Sequence, residues 1–324
     1  MMLSIVIPVY NGARSIERLV NELAAVRIDG GVEVVLVNDC SVDDSWEVIQ
    51  RICANAPMPV VAIDLARNFG EHNAVMAGYA AASGAYIINI DDDFQNPPSE
   101  VVKVFQHALA HPELDVVYTR YERKRHSWFR NLGSRFNDAV ARFMIDKPKG
   151  LYLSSFRCVN RFLRDRIIAY TGPYPYIDGL ILENTRRIGR ITVMHLPRTE
   201  GSSGYTLRKL VRHWLMMFVN FSVMPLRISS FIGALFSIVG FGMALFAIFE
   251  RFFSDTPQGW ASIVSVVLVF AGIQLLTLGL IGEYLGRLYL MQRGKPQYAV
   301  RTTLVASAHS TVDEAVRSRP SEGN

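Results

Sequence analysis

The chain has 324 residues, with 34 Lys and Arg set against 29 Asp and Glu, and half of it is hydrophobic. That length holds roughly two domains, while a charged fraction of 19% and a mean hydropathy of +0.18 exclude a disordered polyelectrolyte and argue against a wholly water-soluble globule. Three scattered cysteines exclude a disulfide scaffold or cysteine-rich zinc module, and a net charge of +5 is too small to specify nucleic acid.

The first segment, MMLSIVIPVYNG, is apolar and then breaks at Pro8 and Asn11-Gly12. It has no basic lead and no cleavage site, so it reads as a buried strand rather than a signal peptide. Further apolar runs follow at Leu3–Val9, Val32–Val37, Val60–Leu65 and Tyr86–Ile90, with helix-like stretches near 14–26, 43–54 and 71–82 between them. This alternation predicts an α/β fold, a parallel sheet with helices on both faces. Ligands of such sheets bind at the carboxyl ends of the strands, where Tyr10-Asn11, Asn38-Asp39 and Asp91-Asp92-Asp93 stand.

Asp39 closes the run VVLVND, where its carboxylate can accept from a nucleobase or ribose; Ser41 and Asp44 fit an S-x-x-D capping box. Asp91-Asp92-Asp93-Phe94-Gln95-Asn96-Pro97-Pro98 carries the strongest site signal. Three adjacent carboxylates repel one another beside a buried strand unless a cation is near. In an extended segment Asp91, Asp93 and Gln95 point the same way. Their hard oxygens suit Mg²⁺ or Mn²⁺, completed by water and phosphate. The competing reading is a solvated acidic turn before a helix. His107 and His111 stand four apart without an H-E-x-x-H pattern and read as a helix end. Neither a G-x-G-x-x-G after the first strand nor a G-x-x-x-x-G-K-[ST] is present.

Residues 119–135 are basic with interleaved aromatics, and 205–222 read as an amphipathic helix at a membrane interface. Two uncharged runs follow, Ile228 to Phe249 and Trp260 to Gly282, each long enough to cross a hydrocarbon core of about 30 Å. Arg208, Lys209, Arg212 and Arg227 precede the first, and Arg287, Arg293, Lys295 and Arg301 follow the second. The positive-inside rule then places both termini in the cytoplasm. Gly272, Gly279, Gly282 and Gly286 fit a helix-packing face, and through it a homo-oligomer. From about Ala306 the chain is polar and aperiodic, as a disordered tail would be.

Read together, SIVIPVYNG, VVLVNDCSVDDS, LARNFGEHNAVMAGYAAASGAY, DDDFQNPP, RTEGSSGYTLRKL and the two apolar runs resemble glycosyltransferase family 2. The match is to its membrane-anchored polyprenyl-phosphate type, which includes dolichyl-phosphate mannose synthases and bacterial undecaprenyl-phosphate enzymes. The resemblance implies a GT-A domain over 1–204, an interfacial helix over 205–227, transmembrane helices over 228–250 and 260–282, and a partly disordered cytoplasmic tail over 283–324. It implies a bacterial plasma-membrane location. It also implies a UDP-, GDP- or dTDP-sugar donor, a polyprenyl phosphate acceptor, and Mg²⁺ or Mn²⁺ on the diphosphate. Carried over by motif, Pro8, Tyr10, Asp39 and Asp92 line the nucleoside pocket, and Asp91, Asp93 and Gln95 meet the metal. Arg120, Arg130 and Ser134 stand where the acceptor phosphate binds. Arg198, Ser203 and Tyr205 belong to a loop that closes over the donor.

Some positions depart from the family pattern. Gly12 stands where many relatives have Glu, Asn38 where many have Asp, and Ser155 and Asn160 where aspartates are common; Gly204 replaces a frequent lysine. The expected chemistry is one inverting displacement at the anomeric carbon. A phosphate nucleophile, mostly dianionic at neutral pH, needs positioning rather than deprotonation. Asp178 in PYIDGL is either an assisting carboxylate or a residue of a helix N-terminus. Two other readings stay open: a processive polysaccharide synthase, although no Q-x-x-R-W segment is present, and a non-catalytic nucleotide-sugar-binding membrane adaptor.

Overall fold

A computed structural model describes residues 2–121, 147–172, 174–194, 196, 229, 231–236, 238–242, 245, 259–292, 294 and 296–306. The chain divides into two compact units, one of Met1–Gly204 with Pro296–Asn324 and one of Tyr205–Lys295.

The first unit is built on an eight-stranded sheet. In chain order its elements are β1 (Leu3–Val9), α1 (Ile16–Ala24), β2 (Val32–Asn38), α2 (Ser45–Asn55), β3 (Val60–Leu65), α3 (Glu71–Ala81), β4 (Tyr86–Asn89), α4 (Pro98–Ala110), β5 (Val116–Tyr121), β6 (Arg157–Asn160), α5 (Arg161–Ile168), α6 (Ile177–Asn184) and β7 (Ile188–Val193). After the second unit comes β8 (Val300–Ala306). The four apolar runs became β1 to β4 almost to the residue, because central strands covered on both faces must be apolar throughout.

The strand order is β7-β5-β6-β4-β1-β2-β3-β8. Six strands run one way; β6 and β8 are antiparallel to their neighbours. The sheet is therefore mixed, which corrects the all-parallel expectation. Ahead of the segment read as a disordered tail, Val300–Ala306 pairs with Val60–Leu65 at the sheet edge. Its alternating Val, Thr and Leu suit a strand with one covered face, a pattern too short to stand out beside a polar tail.

Strand alternation sorts the helices. Leu3, Ile5, Ile7 and Val9 face a core shared with Ile16, Leu19, Val20 and Leu23 of α1, Ile49 and Ile52 of α2, and Val101, Val104 and Phe105 of α4. The residues of α1 fall at i, i+3, i+4 and i+7, one helical stripe. Val6 points to the opposite face, where α3 lies so close that a Cβ on Gly78 would meet Val6 Cγ1 at 2.3 Å. All six codirectional strands end at one edge of the sheet, and the chemistry collects there.

In the second unit α7 (Trp260–Gln292) has 33 residues, about 50 Å at 1.5 Å per residue. It runs ten positions past the expected boundary at Gly282, because Glu283 and Arg287 end the uncharged run without ending a helix. Within the described residues Val269–Gln292 is the stretch long and apolar enough to span a bilayer; Phe231–Gly242 is a shorter apolar helix. Ser229 meets Thr277 at 2.9 Å, and Phe236 meets Phe270 at a centroid distance of 5.8 Å. The crossed order of these pairs makes an antiparallel hairpin. The amphipathic 205–222 segment and part of the first expected span lie outside the described residues.

Candidate active site

Four loops at the carboxyl edge build the site, and three of them contain one non-glycine residue in the left-handed region: Asn11 (φ 58°), Cys40 (φ 53°) and Phe94 (φ 57°). Such residues cost of order 1 kcal/mol or more and persist only where surrounding contacts fix them. The contacts are present for the first two. The Asn11 amide donates to Ser41 Oγ at 3.0 Å, the Val42 amide donates to Asn11 Oδ1 at 3.0 Å, and the Gly12 amide donates to Ser45 Oγ at 2.9 Å. Ser41 thus ties loop to loop instead of forming the expected capping box, and Asp44 at the start of α2 makes no side-chain cap. Phe94 is held by the guanidinium of Arg18, 4.7 Å from its ring centroid.

A cavity of about 330 Å³ lies among these loops, lined by Pro8, Val9, Tyr10, Asp39, Asn68, Gly70, Glu71, Ala74, Asp91, Asp92 and Asp93. It gathers Pro8, Tyr10, Asp39, Asp91, Asp92 and Asp93 of the expected set. Tyr10 is exposed, while Asp39 is buried. The amides of Phe69 and Gly70 donate to Asp39 Oδ1 and Oδ2 at 2.7 and 2.8 Å. Burial raises the Asp39 pKa, and those two amides oppose the rise.

The acidic segment is a turn, not the extended run assumed from sequence. All three aspartates therefore reach the cavity wall, and strict alternation is lost. Gln95 is not among the lining residues; its amide donates to Asp93 Oδ1 at 3.1 Å, and its carbonyl accepts from Leu196. Asp91 Oδ2 accepts from Ser155 Oγ at 2.7 Å. Glu71, at the start of α3, was not singled out, because an acid in a first helical turn is an ordinary dipole partner. It opens to solvent inside the concavity. Burial first, then the charge of Asp91, pushes its carboxyl up to about 7.

Among the described residues no three His, Cys, Asp or Glu form a closed metal cage. The donors fit an ion that takes one or two carboxylates and fills its sphere with water and phosphate oxygens, as Mg²⁺ does. Glu71 shares this pocket with Asp91 and Asp93, whose charges add to the burial that raises its carboxyl.

Asp178 lies deeper. It is buried, accepts from Tyr118 Oη at 2.6 Å, and pairs with the buried guanidinium of Arg157. Tyr118 is held well above its usual range, by burial first and then by the charge of Asp178. Arg120 is exposed at the carboxyl end of β5, on the edge that carries Asp91 but not in the cavity lining. Arg130, Ser134, Arg198, Ser203 and Tyr205 lie outside the described residues.

The family model of glycosyl transferase family 2 matches residues 4–171, and that of the GtrB C-terminal hairpin matches residues 224–288. The undecaprenyl-phosphate 4-deoxy-4-formamido-L-arabinose transferase of Sodalis glossinidius is 34% identical over 316 residues, 96% of both chains. The enzyme of the same name from Aeromonas hydrophila is 30% identical over 323 residues, 97% of both. A solved structure of Mycobacterium tuberculosis glucosyl-3-phosphoglycerate synthase with Mn²⁺, UDP-glucose and phosphoglyceric acid aligns with a TM-score of 0.48 at 16% identity, covering 67% of this chain and 77% of that one. The mixed sheet with its acidic carboxyl edge is a GT-A-like nucleotide-sugar transferase fold, and the chain belongs to glycosyl transferase family 2.

Proposed function

We infer that the protein transfers a sugar, with inversion, from a nucleotide-diphosphate sugar to undecaprenyl phosphate, making a lipid-linked sugar for cell-envelope modification. The observation that carries this reading is the cavity joining Asp39 to Asp91, Asp92 and Asp93, in a chain 34% identical over 96% of its length to an undecaprenyl-phosphate sugar transferase.

Asp39 is held rigid by two amides and accepts from the nucleoside, with Pro8 and Tyr10 as walls. Asp91 and Asp93 would hold a divalent ion, which supplies the positive charge the leaving diphosphate needs. Ser155 keeps Asp91 oriented. Asp178, largely buried and committed to Arg157 and Tyr118, acts as a structural residue rather than an assisting carboxylate. The acceptor phosphate needs no general base; Arg120 and Arg130 dock it, and Arg198, Ser203 and Tyr205 close over the donor. Gln95 lies outside the cavity lining and would join that ion only if its side chain moved.

The apolar hairpin anchors the enzyme in the bacterial plasma membrane through two helices, with the catalytic unit and both termini cytoplasmic. Basic residues flanking the hairpin support this orientation. The test is transfer from UDP-, GDP- and dTDP-sugars, and from nucleotide-linked 4-deoxy-4-formamido-L-arabinose, to undecaprenyl phosphate with Mn²⁺, read by mass spectrometry. A lipid-linked monosaccharide is expected. A growing water-soluble polymer would point to a synthase, and failure of every donor would point to an adaptor.

A further inference from the structure

The C-terminal strand reaches the segment that leads into the cavity wall at Ala66, two residues before the lining residue Asn68. The Ala66 amide donates to the Ala299 carbonyl at 2.8 Å, and Arg301 Nη2 donates to the Ala66 carbonyl at 3.1 Å. Both backbone groups of Ala66 are thus used by the segment around β8. Arg301 Nε also lies 3.9 Å from Asp64 Oδ2. The register explains its reach: Asp64 faces Thr302 and Leu65 faces Val300, so Arg301 is the extra residue of a bulge. A bulge frees a residue from the ladder and re-aims its side chain.

Two routes lead from Arg301 to Asp39. Through Ala66, the chain runs directly to Phe69 and Gly70, whose amides hold both oxygens of Asp39. Through Asp64, Oδ1 accepts from Asn38 Nδ2 at 2.7 Å, and buried Asn38 is the chain neighbour of Asp39. We propose that β8 positions the cavity: Arg301, set between the Ala66 carbonyl and the Asp64 carboxylate, fixes the 66–70 segment that grips Asp39. Arg301 is a positioning residue, and its effect on donor binding rests on the reading of Asp39 as a nucleoside contact.

The test uses the full-length protein in detergent, as wild type, Arg301→Ala, Arg301→Lys and Asp39→Asn. Hydrogen exchange is followed on peptides covering 66–72, β1 and β2. Arg301→Ala is expected to speed exchange at the Phe69 and Gly70 amides about fivefold, the loss of one hydrogen bond, with Arg301→Lys intermediate. The β1 and β2 peptides should not change. Unchanged exchange at 66–70 overturns the proposal, and so does a uniform rise across β1 and β2, which would make β8 merely structural. Affinities for UDP, GDP and dTDP are then measured with Mn²⁺. Asp39→Asn should abolish binding of whichever nucleotide the wild type takes. Arg301→Ala should raise its Kd and the donor KM about fivefold, with kcat within about twofold. If Asp39→Asn binds nucleotide normally, the pocket reading fails while the exchange data still decide the role of β8.

Discussion

Oδ2 of Asp92 lies 1.9 Å from the point that a Cβ on Gly12 would occupy. The first loop and the acidic turn therefore touch backbone to carboxylate, and the family departure at position 12 leaves room for Asp92 in the cavity wall. Gly12→Ala should push the Asp92 carboxylate aside. Because Gly12 does not need a positive φ, the fold should tolerate the methyl, which lowers unfolded-chain entropy by about 0.4–1 kcal/mol. Sugar transfer is expected to fall at least about tenfold, equal to some 1.4 kcal/mol, while the melting temperature stays nearly constant. Parallel assays of turnover and thermal unfolding check this; a loss of stability matching the loss of activity would contradict it.

Asn38 donates to Asp64 across 2.7 Å, in a buried setting. Asn38→Asp removes that donor and faces two carboxylates at hydrogen-bond distance. One must take up a proton, or the pair repels. The variant should lose about 2–3 kcal/mol at pH 8 and recover part of it at pH 5. Urea unfolding at the two pH values measures this, and equal losses at both would argue against charge as the cause.

Arg157 and Asp178 form a buried pair, so removing one partner strands the other. Asp178→Asn should cost about 3–5 kcal/mol, whereas Arg157→Met/Asp178→Leu together should cost much less. Chemical denaturation of the single and double variants reads the difference. A single variant of wild-type stability that has lost turnover would restore Asp178 to a chemical role.

Glu71 gives a pH signature. Its carboxyl is raised from 4.5 to about 7, so the native state holds a proton that the unfolded state releases. The stability this confers is fully present below about 4.5 and is lost as pH rises through about 7. Metal-free Glu71→Gln should therefore be more stable than wild type at pH 8, by about 1 kcal/mol after allowing for solvent screening, and little different at pH 4.5. Adding Mn²⁺ to the wild type should raise its melting temperature at pH 8, and Asp91→Asn should remove that rise. Calorimetry with and without chelator checks both statements.

The central strands were legible because burial on both faces leaves an uninterrupted apolar run, and three polar motifs marked where those runs end. Asp39 and the acidic triplet followed from that placement. Glu71 did not, since its sequence context is that of any first helical turn. The geometry of Gln95 was misjudged because alternation assumes an extended backbone, and Phe94 at φ 57° turns the chain instead. The edge strand β8 escaped because its pairing partner, β3, is remote in sequence, and the bulge that aims Arg301 exists only in the pairing.

Ala66 and Arg301 are 235 positions apart. During synthesis β3 therefore emerges long before the strand that covers it, and the intervening apolar hairpin must be made first. Until then the nascent sheet carries a bare row of amides and carbonyls, open to whatever other strand is near. Completion of the catalytic unit is thus timed to follow translation of its apolar hairpin. A chain released before Pro296 would be left with an adhesive rim, prone to aggregate.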